Sequence, residues 1–298
     1  MLRLGLCCKF SAQPIRFKTA TTKGLGRLTP KAALGRLSAL CRDNAYALLA
    51  AIDYCAANGM GSFRINSEMM PLYTHPQYGY KLAELPQAQE IGDTLAQCRK
   101  VAQKKNIRLT FHPDQFVLLN SPKSQVVRAS LEELQYQAEL AALVGADVIN
   151  IHAGGAYGDK AAALARLAAA VEALPQNIRK YLTLENDDRV YTPKDLLPFC
   201  LHHKIPFVYD LHHHRCLPDG LSIEEVTKEA IKSWNREPLF HISSPKNGWK
   251  GKDIRYHADY IDKDDFPACW SNLDVTVEVE AKAKELAVKQ LLVQLAAK

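Results

Sequence analysis

Nine residues scattered along this 298-residue chain carry side chains that bind divalent cations or move protons: His75, His112, His152, Glu185, Asp210, His213, His241, His257 and Glu280. His112, His152, Glu185, Asp210, His241 and Glu280 lie in or at the ends of six separate short apolar runs. His213 lies three residues after Asp210, and His75 and His257 fall in loops after two such runs. One histidine at a strand end is more often an ordinary hydrogen-bonded residue, and His202 and His203, at a predicted helix end, read that way. His212 and His214 flank His213 and stay open. Six strand ends bearing imidazole or carboxylate are harder to read as coincidence. Carboxylates crowded without cations repel one another and become harder to ionise, and divalent ions remove that penalty. Nitrogen and oxygen donors without thiolate suit zinc, manganese, iron or cobalt better than calcium or magnesium alone. The donors outnumber what one ion takes, so the expectation is two or three ions with Glu185 as a bridge. Such a cluster acidifies a bound water with one ion while the others neutralise phosphate oxygens and the leaving alkoxide. Phosphodiester hydrolysis needs all three effects.

These residues converge only if the elements beneath them bring them to one end of one sheet. Eight β-rich apolar runs are legible, at 2–8, 61–66, 107–112, 147–152, 181–186, 206–212, 239–243 and 275–280. Helical periodicity is expected at about 31–58, 87–105, 125–143, 160–173, 193–203, 222–235 and 281–297, with long loops after the first, second and seventh runs. Parallel strands need crossovers, and right-handed crossovers wind them one way. Eight strand–helix units in a chain of this length predict an α/β fold, a single-domain (β/α)8 TIM barrel spanning 1–298 with the metal cluster at the C-terminal rim of its strands. A doubly wound open sheet is the alternative, but no GxGxxG follows the first run.

Composition narrows the setting. At 47% hydrophobic and 23% charged residues, the chain is ordinary globular material rather than disordered, collagenous or coiled-coil. No run approaches the roughly 20 apolar residues that span a bilayer. The eight cysteines form no CxxC pair and read as reduced thiols of a cytosolic protein, so a cytoplasmic location and no membrane partner are expected. The net charge is +6, and the first 42 residues hold Arg3, Lys9, Arg16, Lys18, Lys23, Arg27, Lys31, Arg36 and Arg42 with no acid before Asp43. A one-sided basic segment attracts polyanions, nucleic acid above all, which makes Arg16 and Lys18 candidate DNA contacts. A solvated surface without a partner is the bland alternative. Charge and metal ligands point together to a metal-dependent nuclease.

The ordered segments LRLGLCCKF, PIRFKTATT, FRINSEMMPLYTHPQYGY, FHPDQFVLLNSP, INIHAGGAYGDK, LTLENDD, FVYDLHHHRC, HISSPKNGW, HADYID and EVEAKAKELA together resemble the UV damage endonucleases, distant relatives of endonuclease IV, from residue 2 to about 290. The resemblance implies a barrel nuclease with a metal cluster, typically manganese (Mg2+, Co2+ or Zn2+ being alternatives). Its substrate is double-stranded DNA carrying UV lesions, nicked immediately 5′ of cyclobutane pyrimidine dimers and 6-4 photoproducts to start excision repair. By motif the ligands fall on His112, His152, Glu185, Asp210, His213, His241, His257 and Glu280, with Glu185, His112, His241 and Glu280 nearest the chemistry. His75 matches an active-site histidine, either ligand or phosphate contact. Gln115 and Phe116 match a pair inserted into the duplex beside the lesion; the family usually has Gln-Tyr, so Phe116 keeps the stacking face and loses the phenolic hydrogen bond. Leu239 stands where some members have a modified lysine near the metals, and Leu6 and Phe10 where some have Tyr and Asn. Lys160 and Tyr157 are candidate phosphate contacts; Arg64 points to an anion or forms a buried salt bridge. A monomer without a protein partner is expected. The competing functions are a sugar isomerase or epimerase on a metal-bearing barrel, and a DNA-binding relative without activity.

Overall fold

The computed structural model describes residues 1–297. Eight parallel strands close into a barrel in sequence order: β1 (Arg3–Cys7), β2 (Ser62–Ile65), β3 (Arg108–Phe111), β4 (Val148–His152), β5 (Leu182–Glu185), β6 (Phe207–Asp210), β7 (Leu239–Ile242) and β8 (Thr276–Val279), with β8 pairing back onto β1. The helices are α1 (Thr22–Leu25), α2 (Pro30–Ala57), α3 (Ala88–Lys104), α4 (Ser124–Val144), α5 (Lys160–Glu172), α6 (Gln176–Arg179), α7 (Pro193–His203), α8 (Leu211–Cys216), α9 (Ile223–Lys232) and α10 (Glu285–Ala296). The eight expected runs and seven expected helices are all present, within a few residues of their predicted limits. None of the helices is long and apolar enough to cross a membrane among the described residues. All eight cysteines are free thiols.

Local chemistry sets the helix boundaries. Pro30 opens α2 behind Thr29, whose hydroxyl accepts the Ala32 N–H. Thr192 with Asp195 caps α7 and Ser222 with Glu225 caps α9, each pair satisfying two N–H groups that a helix start leaves free. The sixth run departs most from expectation. It is a strand only to Asp210, and α8 begins at the next residue. The reason is capping: the Asp210 carboxylate accepts the His213 N–H at 2.7 Å, which turns the chain from strand into helix. The last helix starts at Glu285 rather than 281, because Lys284 takes a positive φ of 53° and breaks the lead-in.

Register then decides which side chains share the barrel interior. Directly opposed residues of neighbouring strands project to the same side, and side chains alternate along each strand. His152 is opposite Glu185, Asp210 opposite His241, and His241 opposite Glu278. The interior is therefore layered. Val148, Val208 and Leu239 form an apolar floor. Above them lie buried Thr110, Asn150, Thr183 and Glu278. The imidazoles and carboxylates of the strand ends crown the column. Leu239, where the resembling family has a lysine in some members, is part of that fully buried floor.

Candidate metal centre

Glu185, 1% exposed, is the hub of the crown. Its Oε2 lies 2.9 Å from His112 Nε2, and its Oε1 lies 3.2 Å from His241 Nδ1 and 3.3 Å from His213 Nδ1. From below, Asn150 Nδ2 donates to the same carboxylate, and Thr183 Oγ1 donates to Asn150 Oδ1 at 2.9 Å. Two neighbouring side chains of the polar layer thus fix the carboxylate before anything binds it. His112 donates from Nδ1 to the Pro113 carbonyl at 3.2 Å, which turns Nε2 toward Glu185. Asn186 donates to the Asp210 carbonyl and accepts the Asp210 N–H, so it locks the end of β5 to the end of β6.

Two groups of donors have the spacing that one ion needs. His112, His152 and Glu185 form the first and Glu185, Asp210 and His213 the second, the donor atoms of each lying within 4.8 Å of one another. Glu185 is common to both. His241 extends the cluster, 3.5 Å from Glu280 Oε1 and 3.9 Å from Asp210 Oδ2. His257 joins at its edge, with Nδ1 3.7 Å from Glu280 Oε2. Thus all eight residues selected as ligands from the sequence meet at one mouth of the barrel, six of them strand-end residues. His75 stands outside the groups. Its Nδ1 accepts the N–H groups of Gln77 at 3.1 Å and Tyr78 at 3.2 Å, which fixes the proton on Nε2 as a donor.

The donor set fits divalent metal. Buried polar atoms are nearly always hydrogen-bonded. Here His152 Nδ1, Asp210 Oδ2 and both ring nitrogens of His241 are buried without an aligned hydrogen-bond partner, all within the cluster. The charges agree. Burial would raise the Glu185 carboxyl, but the imidazoles of His241, His152 and His112 outweigh it and hold the group well below the usual carboxylate range. Burial acts likewise on Glu280, and Arg64, His241 and His257 hold it well below that range. In return, burial disfavours the charged forms of His213 and His241, yet the facing carboxylates lift both well above the ordinary imidazole value. His152 goes the other way, pushed down chiefly by burial. Carboxylates and imidazoles that hold one another charged this closely form a site where a divalent cation would take the place of the imidazole protons and supply the positive charge the acids pair with.

Two charged residues lie directly beneath the cluster. Glu278 is fully buried, 3.2 Å from His241 Nε2, and accepts a hydrogen bond from Thr110 Oγ1. Arg64 answers it: its Nε lies 3.3 Å from Glu278 Oε2, and its Nη2 bonds Glu280 Oε1. Of the two readings of Arg64 from sequence, the buried salt bridge is the one present. Sequence reasoning misses Glu278 because it looks only to the end of the run VTVEVE. Alternation within that run puts Glu278 and Glu280 on the same side, two residues apart, and the pattern is legible there.

The candidate DNA contacts divide into two sets. Gln115 and Phe116 occupy a built turn in which Asp114 accepts the N–H groups of Phe116 and Val117, and Phe116 is 72% exposed, with its ring offered to solvent. Phe116 is therefore not a core residue. By contrast, Arg16 folds back onto the carbonyls of Phe10, Gln13 and Ile15. Lys18 pairs with Asp43 at 2.7 Å, and Lys160 with Asp195 at 2.6 Å. These three cations serve internal contacts that their sequence neighbourhoods do not reveal. Tyr157 is exposed beneath Arg166.

A family model described as "UV-endonuclease UvdE" matches residues 2–298. A protein named UV DNA damage endonuclease from Bacillus velezensis is 33% identical over 303 residues, covering 97% of this chain and 91% of its own length. The crystal structure of SacUVDE superposes with a TM-score of 0.88 at 26% identity, over 100% of this chain and 99% of that one. Endonuclease IV from Thermus thermophilus shares the fold, with a TM-score of 0.63 at 15% identity over 99% of this chain and 98% of its own. With one profile spanning the whole chain and relatives of matching length, this protein belongs to the UV-endonuclease UvdE family.

Proposed function

We propose that this protein is a metal-dependent endonuclease that nicks double-stranded DNA immediately 5′ of cyclobutane pyrimidine dimers and 6-4 photoproducts, using two or three divalent ions, Mn2+ foremost. The observation that carries the reading is Glu185, shared between two three-donor groups at the mouth of the barrel in a chain of this family. When bound, the ions supply Lewis acidity for water and for the phosphate oxygens. The chain's own residues do the rest. Glu185, oriented by Asn150, holds the two halves of the site at a fixed spacing. His112, His241 and Glu280 complete the reacting face, with Arg64 keeping Glu280 ionised. His75, protonated on Nε2, donates to a backbone phosphate. The raised turn of Gln115 and Phe116 enters the stack beside the lesion, where an exposed aromatic face replaces lost base stacking. The sugar isomerase alternative rests on fold alone.

Irradiated and undamaged supercoiled plasmids incubated with the protein, with Mn2+ or with a chelator, test this. Nicking of irradiated plasmid in Mn2+ and none after chelation is expected. Equal nicking of undamaged plasmid would remove damage specificity, and nicking that persists in chelator would remove the metal.

A further inference from the structure

The loop joining β7 to β8 is a basic arm whose role is not accounted for by the metal ligands at its base. Between His241 and His257 it carries Lys246, Lys250, Lys252 and Arg255 against a single acid, Asp253. It is not a floppy excursion. Pro245 and His257 form an antiparallel bridge, Lys246 N–H donates to the Tyr256 carbonyl at 2.7 Å, and Ala258 N–H to the Ser244 carbonyl at 2.8 Å. Trp249 is tucked inward, with Nε1 donating to Asp265 Oδ1 at 2.7 Å and the Arg215 guanidinium 5.4 Å over its ring. Asp265 also takes Ser244 Oγ and Arg215 Nη1, so one buried carboxylate ties the loop to the start of the arm and to α8. Arg255 spans to Asp188, three residues beyond Glu185, at 3.0 Å. The arm is thus fastened to the loop that follows β5 and, through Asp265, to α8.

Within this fastened frame Lys246, Lys250 and Lys252 are exposed, and none of their ammonium groups makes an ion pair or hydrogen bond among the described residues. Tyr256 beside them is 61% exposed. Three uncompensated ammonium groups on an ordered loop, anchored at the rim of a phosphodiester-hydrolysing site, match the charge pattern of a polyanion backbone. Holding the loop backbone in advance reduces the entropy lost on binding. The N-terminal segment, which keeps Lys9, Lys23, Arg27, Lys31 and Arg36 exposed, packs on the β1–β2 side, whereas this arm leans toward β5 and β6. We infer that the β7–β8 arm is a DNA-backbone clamp: Lys246, Lys250 and Lys252 hold phosphates of the duplex on the β5–β7 side of the mouth. This rests on the proposed nuclease reading and adds to it a contact surface that the reading does not contain.

The test is the salt dependence of binding to an irradiated duplex, measured in chelator so that cleavage does not intervene. The full-length protein carries Lys246→Ala, Lys250→Ala and Lys252→Ala together. A control of equal charge change carries Lys100→Ala, Lys104→Ala and Lys180→Ala, at the opposite end of the barrel, where α3 ends and β5 begins. Each phosphate contact contributes about 0.9 to the slope of log K against log salt. The arm variant is expected to flatten that slope by roughly 2–3 and the control to leave it unchanged. Its manganese content and circular dichroism should match wild type, since the three side chains are exposed and none is a ligand. If wild type nicks irradiated plasmid and the arm variant keeps the wild-type slope, the clamp is overturned while the nuclease reading stands. Equal flattening in both variants overturns it too, because net charge alone then explains the effect. If the arm variant alone flattens the slope but wild type never nicks, the clamp stands and the nuclease reading falls.

Discussion

Glu185 is where the chemistry of this molecule is most exposed to a single atom's change. Replacing one carboxylate oxygen by an amide keeps the volume and the packing against Asn150, but removes the charge shared by both donor groups. Glu185→Gln is therefore expected to lower the nicking rate at least about a hundredfold, about 2.7 kcal/mol of transition-state stabilisation. Binding of irradiated duplex should remain within about threefold of wild type. Single-turnover nicking and fluorescence anisotropy measure the two, and a variant that nicks normally would remove Glu185 from the centre of the site. Arg64 makes a second residue-scale prediction, about stability. Its pairing with Glu278 is buried on both sides, with side chains 7% and 0% exposed. Breaking a buried pair from one side leaves the other charge uncompensated, which costs about 3–5 kcal/mol. Arg64→Leu should show that loss in urea denaturation. Arg64→Leu with Glu278→Leu should be less destabilised than the single variant, since no orphaned charge remains at that pair. Additive losses would mean that the two side chains do not act as a pair.

At the scale of elements, the alternation of apolar runs and helical periods is enough to place all eight strands, and their ends bring six of the eight candidate ligands to one mouth; His213 and His257, off the strand ends, enter the set through the family motifs. What failed to show in the sequence failed for definite reasons. The β6–α8 junction was hidden because FVYDLHH is apolar enough to read on as strand, and only the capping bond from Asp210 turns it. Glu278 was hidden because it matters through its register with His241 on the neighbouring strand. The engagement of Lys18 and Lys160 was hidden because their acids lie 25 and 35 residues away. Asp219 shows the same long reach and makes a testable case. Its carboxylate accepts the Lys194 N–H of α7 at 2.7 Å, the Leu221 N–H before α9 at 3.0 Å, and His214 Nε2 of α8 at 3.0 Å. Burial would raise this carboxyl, but the two N–H groups and His214 hold it below its ordinary value. Asp219→Ala strands these donors and is expected to cost about 1–3 kcal/mol at pH 7. A depressed carboxyl contributes its stability above the unfolded-state value, about 3.9, and loses it as pH falls through the folded-state value. The gap between wild type and variant should stay level above about pH 5 and narrow below about pH 4. A gap that widens on acidification would mean that Asp219 is not held as an anion in the folded protein.

The whole molecule is a closed ring in which the last strand, β8, seals the sheet against the first and brings Glu278 and Glu280 to the centre. Residues from six strands meet over one apolar floor, so what binds the cluster acts on the entire barrel and not on one loop. A cation that binds the native cluster and not the unfolded chain stabilises the fold by RT ln(1 + [L]/Kd), about 2.7 kcal/mol at a hundredfold excess over Kd. Unfolding entropies of about 2.1 cal/mol/K per residue convert this, for a chain of 298 residues, into a rise of about 4 °C in Tm. Differential scanning calorimetry of chelated protein titrated with Mn2+ should show Tm climbing with the logarithm of free Mn2+ once the site fills, and returning on chelation. Glu185→Gln should show a much smaller climb, because both donor groups lose the member they share. The barrel has other carboxylates on its surface, so a rise of equal size in wild type and variant would locate the ion there. Only a rise that depends on Glu185 ties the closure of the ring to the cluster at its mouth.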